Sequence, residues 1–120
     1  MTFSLKLSRE GIKTAVKGIV YVLEFELEGK KLVKVGFTSR PKVEDRVCEI
    51  LVSIWKRYRV FPSCYVKKYR TFDDPLAIEK SLHKLLVDYK YTTKFVFSGS
   101  TEFFDVPLEE VVKLYDEITD

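Results

Sequence analysis

Two β-patterned segments separated by one turn constrain this chain more than any other part of it. In residues 18–27, Tyr21, Leu23, Phe25 and Leu27 fall on one face, and Val20, Val22, Glu24 and Glu26 on the other. Alternation of this kind marks a strand with two distinct faces. Glu28-Gly29-Lys30 follows as a turn, since glycine supplies the positive φ that a tight hairpin needs. Residues 31–37 read as the return strand, and Thr38-Ser39-Arg40-Pro41 breaks it. An antiparallel hairpin is therefore the expected nucleus of the fold.

The pattern then changes period. Between residues 42 and 54, Val43, Val47, Ile50, Leu51 and Ile54 form an apolar stripe at helical spacing, with Arg46, Glu49 and Ser53 on another side. Residues 57–71 read as a third strand or a bent pair, with Pro62 at a bulge or an edge. Asp73-Asp74-Pro75 is a helix start, an acidic cap followed by proline in the first turn. That helix is expected to reach about Tyr89, with Ile78, Leu82, Leu85 and Tyr89 inward. Short strands are expected at 94–97 and 102–106 around Ser98-Gly99-Ser100. A last amphipathic helix starts near Asp105 and Pro107 and turns Leu108, Val111, Val112, Tyr115 and Ile118 to its apolar side. Residues 1–17 suit a short helix or an arm, ahead of one domain over 18–120. The expected class is α+β, a small antiparallel sheet of about three strands flanked by helices.

Composition narrows the function classes. The chain has 120 residues, 46% hydrophobic and 32% charged, which fits one folded domain rather than a disordered segment. No apolar run approaches a membrane span, so no membrane partner is expected, and no secretory leader pattern opens the chain. Cys48 and Cys64 are too few and too far apart for a disulfide framework or a zinc site, and reduced thiols in a cytoplasmic protein are expected. The net charge of +3 permits nucleic-acid binding without requiring it. Its distribution says more. Lys56-Arg57-Tyr58-Arg59 and Tyr65-Val66-Lys67-Lys68-Tyr69-Arg70 interleave cations with aromatics. Such a run is either a phosphate- and base-contacting surface or a strand with one solvated basic face. Lys56, Arg57, Lys67, Lys68 and Arg70, with Arg40 near the hairpin, are the candidate nucleic-acid contacts.

In chain order, the pieces are Gly18-Ile19-Val20-Tyr21-Val22-Leu23, Lys34-Val35-Gly36-Phe37-Thr38, Arg46, Glu79 with His83, and Glu102-Phe103-Phe104. Together they resemble the GIY-YIG nuclease superfamily. The likeness is to a divergent, often phage-encoded branch reading G-x-x-Y-V-L, K-[IV]-G-x-T, Arg, E-x-x-x-H and E-x-F. It covers roughly Gly18 to Val106 and implies a nuclease that cleaves phosphodiester bonds with one divalent ion. Tyr21 looks like the tyrosine of the first motif, one residue late, and Lys34 stands where the second motif carries tyrosine. The resemblance makes Tyr21 the acceptor of the attacking water's proton, sets Arg46 and Lys34 on the phosphoryl oxygens, and makes Glu79 the metal ligand.

One carboxylate completed by water and substrate oxygens suits Mg²⁺ or Mn²⁺ rather than zinc. His83, the only histidine, would touch the leaving oxygen, orient Glu79 or contact phosphate. Blander roles exist for each residue. These are a core tyrosine, an exposed strand lysine, an Arg46 ion pair with Glu49 or Glu44, and an i,i+4 Glu79–His83 pair. Glu102 reads as a structural partner for a strand end or a cation of the site.

Three readings compete. The first is a metal-dependent endonuclease, with DNA ahead of RNA as substrate. The second is a degenerate fold that binds nucleic acid without cutting it. The third is a phage effector that binds a host protein in the host cytoplasm.

Overall fold

A computed structural model describes residues 17–94 and 96–119. The hairpin is as the alternation predicts. β1 (Gly18–Leu27) and β2 (Lys30–Thr38) pair antiparallel, with Tyr21 opposite Gly36 and Leu23 opposite Lys34. Two residues make the turn, Glu28 at φ 55° and Gly29 at φ 77°, both in the left-handed region that tight hairpin turns use. The left-handed Glu28 is held by its own carboxylate, which accepts the Tyr91 hydroxyl and the Lys94 backbone N–H, each at 2.8 Å.

α1 (Val43–Tyr58) runs a full turn beyond the expected end. It stops at Arg59, left-handed at φ 58°, whose N–H caps the Trp55 carbonyl at 2.9 Å. Lys56 and Arg57 therefore belong to the last helical turn, where cations complement the helix dipole, and not to a strand. β3 (Ser63–Phe72) starts directly after Pro62 and pairs with β1 along the outer edge of the sheet. Its register slips between Val22 and Leu23, which face Lys68 and Val66, so Lys67 is bulged out.

α2 (Pro75–Leu85) begins as expected, with the Asp74 carboxylate accepting the Ala77 N–H at 3.3 Å. It ends earlier than the predicted Tyr89 and gives way to a 3₁₀ turn, Val87–Tyr89. Leu85 and Tyr89 are consequently exposed, contrary to expectation, and Leu86 is buried instead. Ile78, Leu82 and Leu86 lie four residues apart on one line, and that line meets the sheet.

The sheet has five strands, not about three, in the order β3-β1-β2-β5-β4. The extra pair is β4 (Lys90–Tyr91) and β5 (Phe103–Phe104), each two residues long. The described part of the expected 94–97 strand, residues 94, 96 and 97, is not in a strand; Lys90–Tyr91 takes that place against Phe103–Phe104. α3 (Leu108–Thr119) closes the domain.

Helices cover both faces. On one, Tyr21, Leu23 and Phe25 pack with Ile50 and Ile54 of α1 and with Phe103. On the other, Val20, Val22, Val33 and Val35 pack with Leu82 and Leu86 of α2 and with Val111 and Tyr115 of α3. The Tyr115 hydroxyl donates to the Val20 carbonyl at 2.9 Å. Among the described residues no helix is long and apolar enough to cross a membrane. Apart from Lys17, the expected N-terminal arm or helix lies outside the described residues.

Candidate active site

Among the described residues the buried polar and charged side chains are Lys34, Thr38 and Glu79. Thr38 accepts the Arg40 N–H, while the two charged ones converge with the Tyr21 hydroxyl. β1 and β2 bring Tyr21 beside Gly36 and Leu23 beside Lys34 on the face covered by α1. Tyr21 and Lys34 are fully buried, and Glu79 nearly so. β5 joins β2 with Phe103 opposite Lys34, and the Val35 N–H donates to the Glu102 carbonyl at 3.2 Å. That pairing delivers the Glu102 carboxylate to the Lys34 ammonium as an ion pair. Lys34 Nζ also donates to the Gly99 carbonyl at 3.1 Å.

Gly36 leaves the space in which these groups meet. A Cβ there would lie 2.6 Å from the Tyr21 hydroxyl and 2.9 Å from Glu102 Oε1. Any side chain at this position would displace one or the other. A second close approach occurs at Gly99. A Cβ there would lie 2.6 Å from Lys34 Nζ and 3.4 Å from an Arg46 nitrogen. Arg46 thus reaches the cluster from α1, donating to Ser98 Oγ at 3.0 Å and lying 3.4 Å from Glu49 Oε1. Its side chain is 22% exposed, so the guanidinium spans the buried cluster and solvent. Glu49 also pairs with Arg40, and it is held below the usual carboxylate range mainly by Arg40.

Two buried polar atoms in this cluster have no hydrogen-bond partner, the Tyr21 hydroxyl and Glu79 Oε2. Orphaned buried polar atoms are rare because desolvation is costly. Burial pushes the Tyr21 phenol up to about 12; the nearby Arg46 guanidinium opposes this without an aligned hydrogen bond between the two. Burial, followed by the adjacent Glu102 carboxylate, raises Glu79 to about 7, against the pull of the Lys34 ammonium. Burial also holds Lys34 below the ordinary lysine value, with Glu102 opposing.

Tyr21, Lys34, Arg46 and Glu79, singled out in the sequence, therefore lie in one cluster. The chain matches the T5orf172 domain over residues 18–119. It belongs to that family. The T5orf172 domain is phage-associated and nuclease-related, which sets this protein's function near nucleic acid. No curated protein and no solved structure gives a match.

The remaining candidates of this T5orf172 protein are placed elsewhere. His83 Nε2–H donates to the Val35 carbonyl at 2.7 Å and its ring lies 5.3 Å from that of Phe104, on the α2 side of the sheet. Arg40 is exposed at the rim with Glu49. Arg57 donates to the Val96 carbonyl at 3.2 Å. Lys68 pairs with Asp116 at 2.8 Å and Arg70 donates to the Thr119 carbonyl at 3.2 Å, so both are engaged by α3. Lys56 and Lys67 are exposed.

Sequence reasoning named Glu102 as a partner for a strand end or a cation of the site and Glu49 as an ion-pair partner for Arg46, and both contacts form. It did not point to Ser98 or Gly99. Nothing in the spacing links either to Lys34, more than sixty residues earlier.

Proposed function

We propose that this T5orf172 protein is a metal-dependent endonuclease of the GIY-YIG type, hydrolysing phosphodiester bonds in nucleic acid, with DNA ahead of RNA. The observation that carries this reading is one cluster in which Tyr21 and Glu102 meet at Gly36, Lys34 and Arg46 meet at Gly99 and Glu79 faces Glu102, with a phenol hydroxyl and a carboxylate oxygen left unpaired. Phosphodiester hydrolysis needs an acceptor for the water's proton, positive charge on the phosphoryl oxygens and a carboxylate for a cation.

Arg46 is the cation of the cluster with solvent access, and its planar fork suits two phosphoryl oxygens. Lys34, fixed by Glu102 and Gly99, adds a second positive charge behind it. Tyr21 stays a protonated phenol at neutral pH, so it orients the attacking water and takes its proton only as its own moves on to a neighbouring carboxylate. Glu79, raised to about 7, ionises near neutral pH, and only the ionised carboxylate is free to hold a cation.

The unpaired Glu79 oxygen next to a second carboxylate fits a hard divalent ion such as Mg²⁺ or Mn²⁺. Glu79 would hold it, with water and substrate oxygens completing the shell. When bound, such an ion supplies Lewis-acid stabilisation of the phosphoryl group.

One observation favours a second reading. Tyr21 and Lys34 are fully shielded, and Lys34 occupies Glu102. On that reading the fold binds nucleic acid without cutting it. A titration of Mg²⁺ or Mn²⁺ against supercoiled, linear and single-stranded substrates separates the two. Metal-dependent nicking by the wild type that disappears in Glu79→Ala, with binding retained, is expected of the nuclease. No cutting by either protein at equal, salt-sensitive binding removes the nuclease reading.

A further inference from the structure

The sequence presents one run of cations and aromatics, but the fold divides it between two faces. Lys68 and Arg70 lie opposite Val22 and Val20 and are taken up by α3. Tyr69 and Val66 lie opposite Tyr21 and Leu23 and so share the face covered by α1. Tyr69 is therefore the cross-strand neighbour of the buried Tyr21, yet it is 60% exposed.

At the other end of β3, on the same side, Phe61 stacks on Trp55 of α1 with ring centroids 4.9 Å apart and planes 2° apart. Phe61 is 64% exposed and Trp55 39%. The Arg59 guanidinium lies 5.5 Å from the Trp55 ring centroid. Arg59, Lys56 and the bulged Lys67 have no carboxylate partner among the described residues. An open surface with aromatics at both ends, the Trp55–Phe61 stack and Tyr69, and Cys64 and Val66 between them, thus runs along β3 towards Tyr21. Arg59 and Lys56 border it, while Lys67 Nζ lies 5.3 Å from the ring centroid of Tyr65, which is opposite Glu24 on the other face. At strand rise it is roughly 25 Å long.

We propose that this surface binds an unpaired stretch of nucleic acid, with bases stacked on Phe61 and Tyr69 and phosphates held by Arg59 and Lys56. The inference rests on the reading of this protein as one that acts on nucleic acid, and it specifies a single-stranded or locally unpaired substrate. Aromatic faces accept any base and free cations follow a flexible backbone, whereas a duplex hides its base faces. The charge selects a polyanion over an apolar protein partner. A second copy is disfavoured along this edge, since the Lys67 bulge interrupts the ladder that strand pairing would extend.

The test is fluorescence anisotropy at low salt, with a labelled oligonucleotide of about twelve nucleotides and its duplex, for the wild type, Phe61→Ala, Tyr69→Ala and Tyr69→Phe. Both alanine sites are exposed, and circular dichroism checks the fold. The wild type is expected to prefer the single strand. Phe61→Ala and Tyr69→Ala should each weaken that binding by about tenfold or more, as for the loss of one base stack. Tyr69→Phe, which keeps the ring, should bind as the wild type does. Unchanged single-strand binding in both alanine variants overturns the proposal. So does equal weakening on duplex, or a change of oligomeric state in light scattering with binding unaffected. A single-strand preference that depends on Phe61 and Tyr69, without metal-dependent cleavage, removes the nuclease reading and leaves this one standing.

Discussion

Replacing Glu79 by glutamine should stabilise the protein at neutral and higher pH. The carboxylate is buried, one of its oxygens is unpaired, and burial together with Glu102 raises it from an ordinary 4.5 to about 7. With the folded value above the unfolded one, the unfolded chain releases its proton first as pH rises. Stability at this site is therefore intact below about 4.5, falls as pH climbs towards 7, and is flat above it. At 1.36 kcal/mol per unit, the full displacement corresponds to about 3 kcal/mol, reduced by relaxation around the charge to about 2–3 kcal/mol.

Glutamine keeps the shape and removes the ionisation. Urea denaturation in the presence of a chelator, at pH 5 and pH 8, should show the wild type losing most of that difference and Glu79→Gln losing little of it. The variant should be the more stable of the two at pH 8. Mg²⁺ or Mn²⁺ should raise the wild type's midpoint at pH 8 and leave the variant's unchanged. A glutamine variant less stable than the wild type at pH 8 would refute the reasoning, because it would mean that Lys34 outweighs burial and holds the carboxylate ionised.

Two further substitutions probe how the cluster is packed. Gly36→Ala places a methyl group against the Tyr21 hydroxyl and Glu102 Oε1, and should cost roughly 1–3 kcal/mol in thermal unfolding while abolishing any cleavage; an unchanged melting temperature would show that the gap is not needed. Lys34→Met leaves Glu102 without its cation and should cost roughly 3 kcal/mol, the low end for a broken buried pair because Glu102 is partly exposed. The double change Lys34→Met/Glu102→Gln should recover at least half of that loss, and a purely additive result would mean that the pair is not coupled.

The hairpin, the starts of α1 and α2, and the apolar line of α3, except that Leu114 rather than Val112 packs on the core, were legible, because each rests on a local period or a local cap. Val43, Ile50 and Ile54 announce α1, and Asp74-Pro75 announces α2. What escaped was set by partners distant in the chain. Two-residue strands carry no readable alternation, so β4 is set only by Lys90–Tyr91 meeting Phe103–Phe104, whereas β5 falls inside the strand expected at 102–106. Leu85 reads as core by composition, but α2 stops there and Leu86 turns inward. Lys34 looks like an exposed strand lysine until β5 delivers the carboxylate that allows its burial. The basic run at 65–70 likewise could not disclose that α3 engages two of its three cations.

The tie between β2 and β5 has a consequence for when the site exists at all. Lys34 and Glu102 are 68 residues apart, and β5 contributes only two residues to the sheet. β5 lies between β2 and β4, and its two phenylalanines are buried one in each core, so its opening would loosen both faces of the sheet at once. Opening would separate Glu102 from Lys34 and unmask the buried ammonium, phenol and carboxylate together. The seal over the cluster and the joint that assembles it are then the same two-residue strand, and the accessibility of the reactive groups becomes a folding equilibrium rather than a fixed property of the cleft.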